Sequence, residues 1–125
     1  MANTLTITVT NLFSDSAPVN GSLFNSAATF PSGAKFQSFT GTPNAGDTRL
    51  QINVDGLPDG QYAIALYQDI NGNGKLDFGF LGIKPIEPIG FSNNFRPTIA
   101  KPTFAQCCFD FNATENTTEI ALFKM

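Results

Sequence analysis

The sequence predicts an all-β protein: a single β-sandwich of about seven strands with a long irregular loop after its central strand. Three observations carry this. Apolar and polar residues alternate in several short runs, the period of a half-buried strand. Turn-forming Gly, Pro, Asn and Asp recur roughly every eight to twelve residues. No run holds a helical period. The 125 residues make one domain, 1–125, with a workable core. Its 13 Phe, with no Trp, would fill the space between two sheets.

In chain order, Leu5, Ile7 and Val9 alternate with Thr4, Thr6, Thr8 and Thr10 and predict a first strand. Asn11 to Pro18 reads as a turn, and Val19 to Asn25 as a second strand. Ser26 to Ala34 reads as a loop, Lys35 to Thr40 as a third strand, and Thr42 to Asp47 as a turn. Arg49 to Asp55 points Leu50, Ile52 and Val54 inward. Gly56 to Gly60 then makes a tight connection through Pro58. Gln61 to Gln68 is apolar on both faces, with Tyr62, Ile64 and Leu66 on one and Ala63, Ala65 and Tyr67 on the other, which marks a central strand. After Asp77 the run is rich in Phe and Ile, but Gly79, Gly82, Pro85, Pro88 and Gly90 break any period, so it is expected to wrap over the sheet. Phe104 to Phe111 and Thr118 to Lys124 complete the strands, and no helix is expected.

Composition excludes several functions. The net charge is −3 with only 7 Lys and Arg and no basic run, so nucleic acid is not a partner. There is no His, which removes the commonest general base and zinc ligand. No segment reaches the roughly 18–20 apolar residues of a membrane helix. The N-terminus lacks the basic start and apolar core of a signal peptide; the protein either stays inside or begins after a removed signal. Cys107 and Cys108 are adjacent, so a mutual disulfide needs unusual geometry, and the expectation is one buried and one outward thiol in a strand.

Gln68 to Asp77, QDINGNGKLD, is the stretch that carries chemistry. Asp69, Asn71, Asn73 and Asp77 bring oxygen-bearing side chains, and Gly74 allows a sharp bend. Such a D-x-N-x-N-G-x-x-D loop curls around a hard cation: Ca2+ takes roughly six to eight oxygens at about 2.3–2.6 Å. The Lys75 carbonyl would turn inward as a ligand. An EF-hand needs a bidentate Glu at its twelfth position; here that position is Phe80, and the flanking helices are missing. The same residues also suit a plain Asn/Gly hairpin turn. Asp47, Asp55, Asp59, Asp69, Asp77 and Glu87 all fall between residues 47 and 87, a bias toward a cation site or a solvated acidic face.

These residues also carry a resemblance. Leu57-Pro58-Asp59-Gly60, the strand ending Gln68-Asp69, the loop to Asp77, Gly82-Ile83 to Glu87, and Gly90-Phe91-Ser92-Asn93-Asn94 lie in order, and Pro102-Thr103-Phe104 follows. Together they resemble the pattern of DUF2141, a bacterial family of unknown function, strongly over residues 48–110. Gln68 stands where the family has His, Lys84 where it has Pro, and Phe78-Gly79 where polar residues are usual. The resemblance implies a transthyretin-like or Cna-B-like sandwich, often exported (periplasmic or extracellular), with no established activity. It also implies that the carboxylate of Glu87 travels with the loop, as a further metal ligand.

The expected function is a calcium-binding β-sandwich module. Asp69, Asn71, Asn73, Lys75, Asp77 and Glu87 would hold a structural Ca2+ that pins the 78–94 segment to the sheet, and no catalysis is expected. The alternative is a metal-free interaction or adhesion module in which Phe78, Phe80 and Leu81 dock a protein or carbohydrate partner. A hydrolase built on Asp69, Asp77 and Glu87 is the third reading, disfavoured by the absence of His.

Overall fold

The computed structural model describes residues 2–30, 35–70, 88–96 and 102–123. Among them are eight strands: β1 (Ala2–Thr10), β2 (Val19–Phe24), β3 (Gln37–Gly41), β4 (Leu50–Pro58), β5 (Gly60–Gln68), β6 (Ile89–Phe91), β7 (Phe109–Phe111) and β8 (Thr117–Ala121). A single helical turn, α1 (Phe104–Cys107), precedes β7.

The strands form two sheets. One is three-stranded in the order β4-β1-β8; the other runs β3-β2-β5-β6, with β7 also paired to β5. β1 is antiparallel to β4 and parallel to β8. β5 is antiparallel to all three of its neighbours, β2, β6 and β7. The alternation read from the sequence now has a cause. Leu5, Ile7 and Val9 of β1 are fully buried and meet Val19 and Leu23, Ile52, Val54 and Leu57, and Tyr62, Ile64 and Leu66 in one cluster that also takes Phe111, Ile120 and Leu122. This is the inter-sheet core, and burying each such side chain contributes on the order of 1.5–3 kcal/mol. The outer face of β1 stays polar, where Thr4 and Thr6 donate to Asp55 and Asn53 on β4.

β5 is buried on its second face too. Ala63, with Ala65 and Tyr67 packed at the margin, joins Phe24, Phe30, Ile89, Phe91, Cys107 and Phe123 in a second cluster. Much of it is edge-on aromatic packing: Phe30 lies 5.2 Å from Phe24, 6.4 Å from Phe91 and 6.3 Å from Phe104, all T-shaped. Among the described residues, Phe24, Phe30, Phe91, Phe111 and Phe123 are core, divided between two layers, while Phe13 and Phe36 are exposed.

The passage from β4 to β5 crosses from one sheet to the other within one residue, Asp59. Two devices allow this. Gly56 has φ +74° at a register shift between β1 and β4, a bulge that bends the strand. Tyr62 then donates its hydroxyl back to the Pro58 carbonyl at 2.7 Å, as in the tyrosine corner of sandwich folds. Burial first and the Asp59 charge second raise the Tyr62 pKa, so the phenol stays a donor. The loop expected between Gly56 and Gly60 is instead almost wholly strand.

Two expectations from the sequence need correction. Phe104 to Phe111 is not one strand. Phe104–Cys107 is helical because Thr103 and Gln106 form a capping box, each side chain bonded to the other's backbone N–H. Only Phe109–Phe111 pairs in the sheet. The segment expected to be irregular up to Asn94 contains β6, whose Ile89, Gly90 and Phe91 pair with Tyr67, Leu66 and Ala65. Other strand ends differ from expectation by a few residues.

Gly90 is a tight point where β6 packs between β5 and β8. A Cβ there would sit 2.7 Å from Ile120 Cγ2 and 3.0 Å from Leu66 Cδ1. Gly90→Ala is therefore expected to destabilise the fold by about 1–3 kcal/mol, read as a lower urea midpoint at unchanged m-value.

Candidate metal centre

Asp69 is the first residue beyond β5, and it is 3% exposed. Its N–H donates to the Pro18 carbonyl at 2.8 Å, and the next N–H, of Ile70, donates back to the Gln68 carbonyl at 3.0 Å. The chain therefore turns sharply at Asp69, on the tip of the central strand. Asn71, Asn73, Lys75, Asp77 and Glu87, the other residues expected at the site, lie outside the described residues, as do Phe78, Phe80 and Leu81.

The base of the loop is built by Gln68, which is fully buried. Its Oε1 accepts from the N–H groups of Phe13 at 2.9 Å and Ser14 at 3.2 Å. Its Nε2 donates to the carbonyls of Ser14 at 2.8 Å and Ala17 at 3.1 Å. An amide has two donors and an acceptor oxygen with two lone pairs, so every position is used. Burying it without partners would cost about 2–7 kcal/mol; these four bonds offset that. Nothing local in the sequence announced this partnership, since Gln68 and Ser14 are far apart in the chain. The family comparison of Gln68 with His was the one signal that drew attention to the position.

The return end is held as firmly. Gln68 N–H donates to the Pro88 carbonyl at 2.9 Å, and Tyr67 pairs with Ile89. The chain therefore leaves at Ile70 and re-enters at Pro88 on adjacent strands of one sheet. Beyond β6, the Ser92–Asn94 segment is a tight turn in which Asn93 and Asn94 take left-handed φ of 63° and 52°, a region Asn tolerates. Ser92 is fully buried. Its hydroxyl accepts from Ile64 N–H at 2.8 Å and donates to the Cys107 carbonyl. Asn93 Nδ2 donates to the Cys108 carbonyl at 2.8 Å, and Asn94 Oδ1 accepts from Ala121 N–H at 2.8 Å. The Gly90–Asn94 motif is thus a staple joining β5, α1 and β8. Its side chains bond to backbone.

Among the described residues, the acids gathered in this part of the sequence do not become a cluster in space. Asp59 precedes β5 and Asp69 follows it, about 30 Å apart by strand rise. Asp59 accepts from Asn3 Nδ2, and Asp55 from Thr4 on the outer face of β1. Asp47 closes its own turn by accepting from Asn44 N–H. Among the described residues no group of three or more His, Cys, Asp or Glu stands ready to hold a metal ion. Asp69 is therefore the one described member of the expected ligand set. A buried carboxylate at a rigid strand tip, leading into a run of Asn and Asp oxygens, has the donor chemistry of a hard-cation site.

Cys107 is buried and Cys108 half-buried, both as free thiols. This is the expected inward and outward pair, although it sits at the end of α1 and not in a strand. Burial first and the neighbouring Cys108 second raise the Cys107 pKa to about 11, so at neutral pH it is an unreactive thiol.

A family model described as an uncharacterized protein conserved in bacteria (DUF2141) matches residues 7–119. No curated protein and no solved structure matches the chain.

Two outcomes follow from this geometry. Ser92→Ala leaves the Ile64 N–H without its acceptor and should cost about 1–3 kcal/mol, measured by urea unfolding. Cys107 binds its proton more tightly folded than unfolded, so its contribution is fully present below pH 9 and is lost as pH rises from 9 toward 11. Unfolding free energies of wild type and Cys107→Ala should therefore converge across that window, while Ellman's reagent at pH 8 should reach Cys108 first.

Proposed function

Because the chain belongs to the bacterial DUF2141 family, which carries no assigned activity, we propose its function from its own residues: it is a calcium-binding β-sandwich module. Asp69, Asn71, Asn73 and Asp77 supply side-chain oxygens, Lys75 its carbonyl, and Glu87 a further carboxylate. The finer assignment to transthyretin-like or Cna-B-like sandwiches, and export from the cytoplasm, rest on the family resemblance.

The observation that carries this reading is the placement of Asp69, buried at the tip of β5 on a base fixed by Gln68. A metal loop needs its first ligand preorganised, and here the strand does that. The role of the ion is structural. Residues 71–87 close a path between two hydrogen-bonded strands, and ordering a path of that length costs conformational entropy. An ion that binds only the folded chain offsets the cost by mass action. With no His in the sequence, and with a loop that offers an oxygen cage in place of an open position for water, catalysis forms no part of the proposal.

The metal-free interaction module is the second reading. What favours it is the exposure of Phe13 and Ile70, each 46% exposed, at this same end of the sandwich.

Isothermal calorimetry with CaCl2 tests the first reading. Binding is expected, together with a melting temperature that falls on adding EDTA. Asp69→Asn should weaken Ca2+ at least tenfold, about 1.4 kcal/mol or more. No heat of binding, with a melting temperature indifferent to EDTA, would leave the interaction module as the better account.

A further inference from the structure

We propose that the open half of the outer face of the β3-β2-β5-β6 sheet is a binding site for a neutral saccharide. Asn20, Ser22, Ser38 and Thr40 form its polar floor, and the Tyr67 ring its wall. None of these residues is among the proposed calcium ligands, so the site is independent of that reading.

Register builds the site. Asn20 lies opposite Thr40 on one side and Tyr67 on the other; Ser22 lies opposite Ser38 and Ala65. Residues opposite one another in an antiparallel pair share a face. That face is the outer one, because Val19 and Leu23, which alternate with Asn20 and Ser22, sit in the inter-sheet core. The second aromatic layer covers only part of it. That layer takes in Phe24, Ala63, Ile89 and Phe91, with Ala65 and Tyr67 at its margin. Beyond Tyr67 and Ala65 the face opens: Asn20 and Ser22 are half-buried, and Ser38 and Thr40 are exposed. The result is a step. Its floor is hydroxyls and an amide, about 4.8 Å apart between strands and about 6.8 Å apart along them, and a half-buried Tyr ring stands beside it.

Three observations select the ligand. No described side chain of β2, β3, β5 or β6 is charged, whereas the outer face of the other sheet carries Asp55 and Glu119. An uncharged face suits an uncharged ligand; a polyphosphate or acidic polymer meets no described cation there. Next, Asn20 is preorganised. Thr40 Oγ1 donates to its Oδ1 at 2.7 Å, and its Nδ2 donates to the Tyr67 hydroxyl at 3.4 Å. An amide has two N–H donors and two lone pairs, so one donor and one acceptor remain. Sugar hydroxyls both donate and accept, and neighbouring ones match such a pair. Finally, among the described residues the Ser22 and Ser38 hydroxyls have no protein partner. The Tyr67 ring adds an apolar body for the C–H face of a sugar. A protein partner needs an apolar anchor at the centre of the patch, and here Ser22 and Asn20 occupy the centre.

The experiment titrates the wild-type protein, with EDTA present, against cellotetraose, xylotetraose, mannotetraose, maltotetraose and chitotetraose at millimolar concentration, followed by amide NMR. Tetragalacturonate is the charged control. The expected result is that at least one neutral chain shifts the amides of Asn20, Ser22, Ser38, Thr40 and Tyr67 saturably and leaves those of Asp55 and Glu119 unmoved. Asn20→Ala should weaken that ligand by about tenfold or more, and the exposed Ser38→Ala by about threefold. If Asn20→Ala fails to fold, Ser38→Ala and the wild-type map decide. No saturable shift with any neutral chain, shifts centred on another face, or tighter binding of tetragalacturonate overturns the inference. So does broadening of these amides with protein concentration in the absence of sugar, which assigns the face to a second copy of the chain. The calcium reading survives each of these outcomes, since it uses none of these residues and the titration holds EDTA throughout.

Discussion

The constraint on which this structure depends is that β5 is apolar on both faces. A strand with one apolar face needs one layer over it; a strand with two needs covering on both sides. Tyr62, Ile64 and Leu66 meet the three-stranded sheet. Ala63 and its neighbours require a second cover, supplied by Phe24, Phe30, Ile89, Phe91, Cys107 and Phe123. Half of this second layer, Phe24, Ile89 and Phe91, comes from β2 and β6. The rest is a short helix and loop residues, and such segments bring backbone polar groups into an apolar setting. Each must find a partner or cost free energy.

That requirement explains where the buried polar side chains sit. Among the described residues they are Gln68, Asp69 and Ser92. Ser92 and Gln68 each satisfy backbone groups that no sheet ladder reaches, one beside α1 and one beside the Asn11–Pro18 loop. Asp69 follows directly from Gln68, so the candidate metal loop is mounted on the same solution. Support and site share one strand end, and the rigidity that a metal loop needs is supplied by the packing of the fold.

Much of this was legible in the sequence. The alternation in β1 and β4 and the two apolar faces of β5 report burial directly, because side chains on a strand alternate between faces. What escaped was structure set by few residues or by distant ones. Apolar residues hid α1, although Thr103 and Gln106 stand at capping-box spacing. β6 is three residues long with a glycine at its centre, too short for a period to show. The Gln68 clamp joins segments with no local signature for one another. Among the described acids between residues 47 and 69, Asp55 and Asp59 are exposed, as a solvated acidic face requires, because nearness in sequence along an extended strand is separation in space. At the candidate site, the motif singled out Asp69, while its burial came from the fold.

The pairing of β1 with β8 has a consequence for the order of folding. β1 is the middle strand of its sheet, yet one neighbour, β8, is the last of the described strands in chain order: Thr6 lies beside Thr117 and Thr10 beside Ala121. Until that strand arrives, one edge of β1 has no ladder, and the inter-sheet core lacks Ile120 and Leu122. A nascent chain can pair β1 with β4 but cannot close the sandwich. Contacts of such long sequence separation slow folding, and an unpaired edge held open meanwhile invites association with other chains. The polar Thr ladder on the outer face of β1 keeps one side of that waiting strand water-compatible throughout.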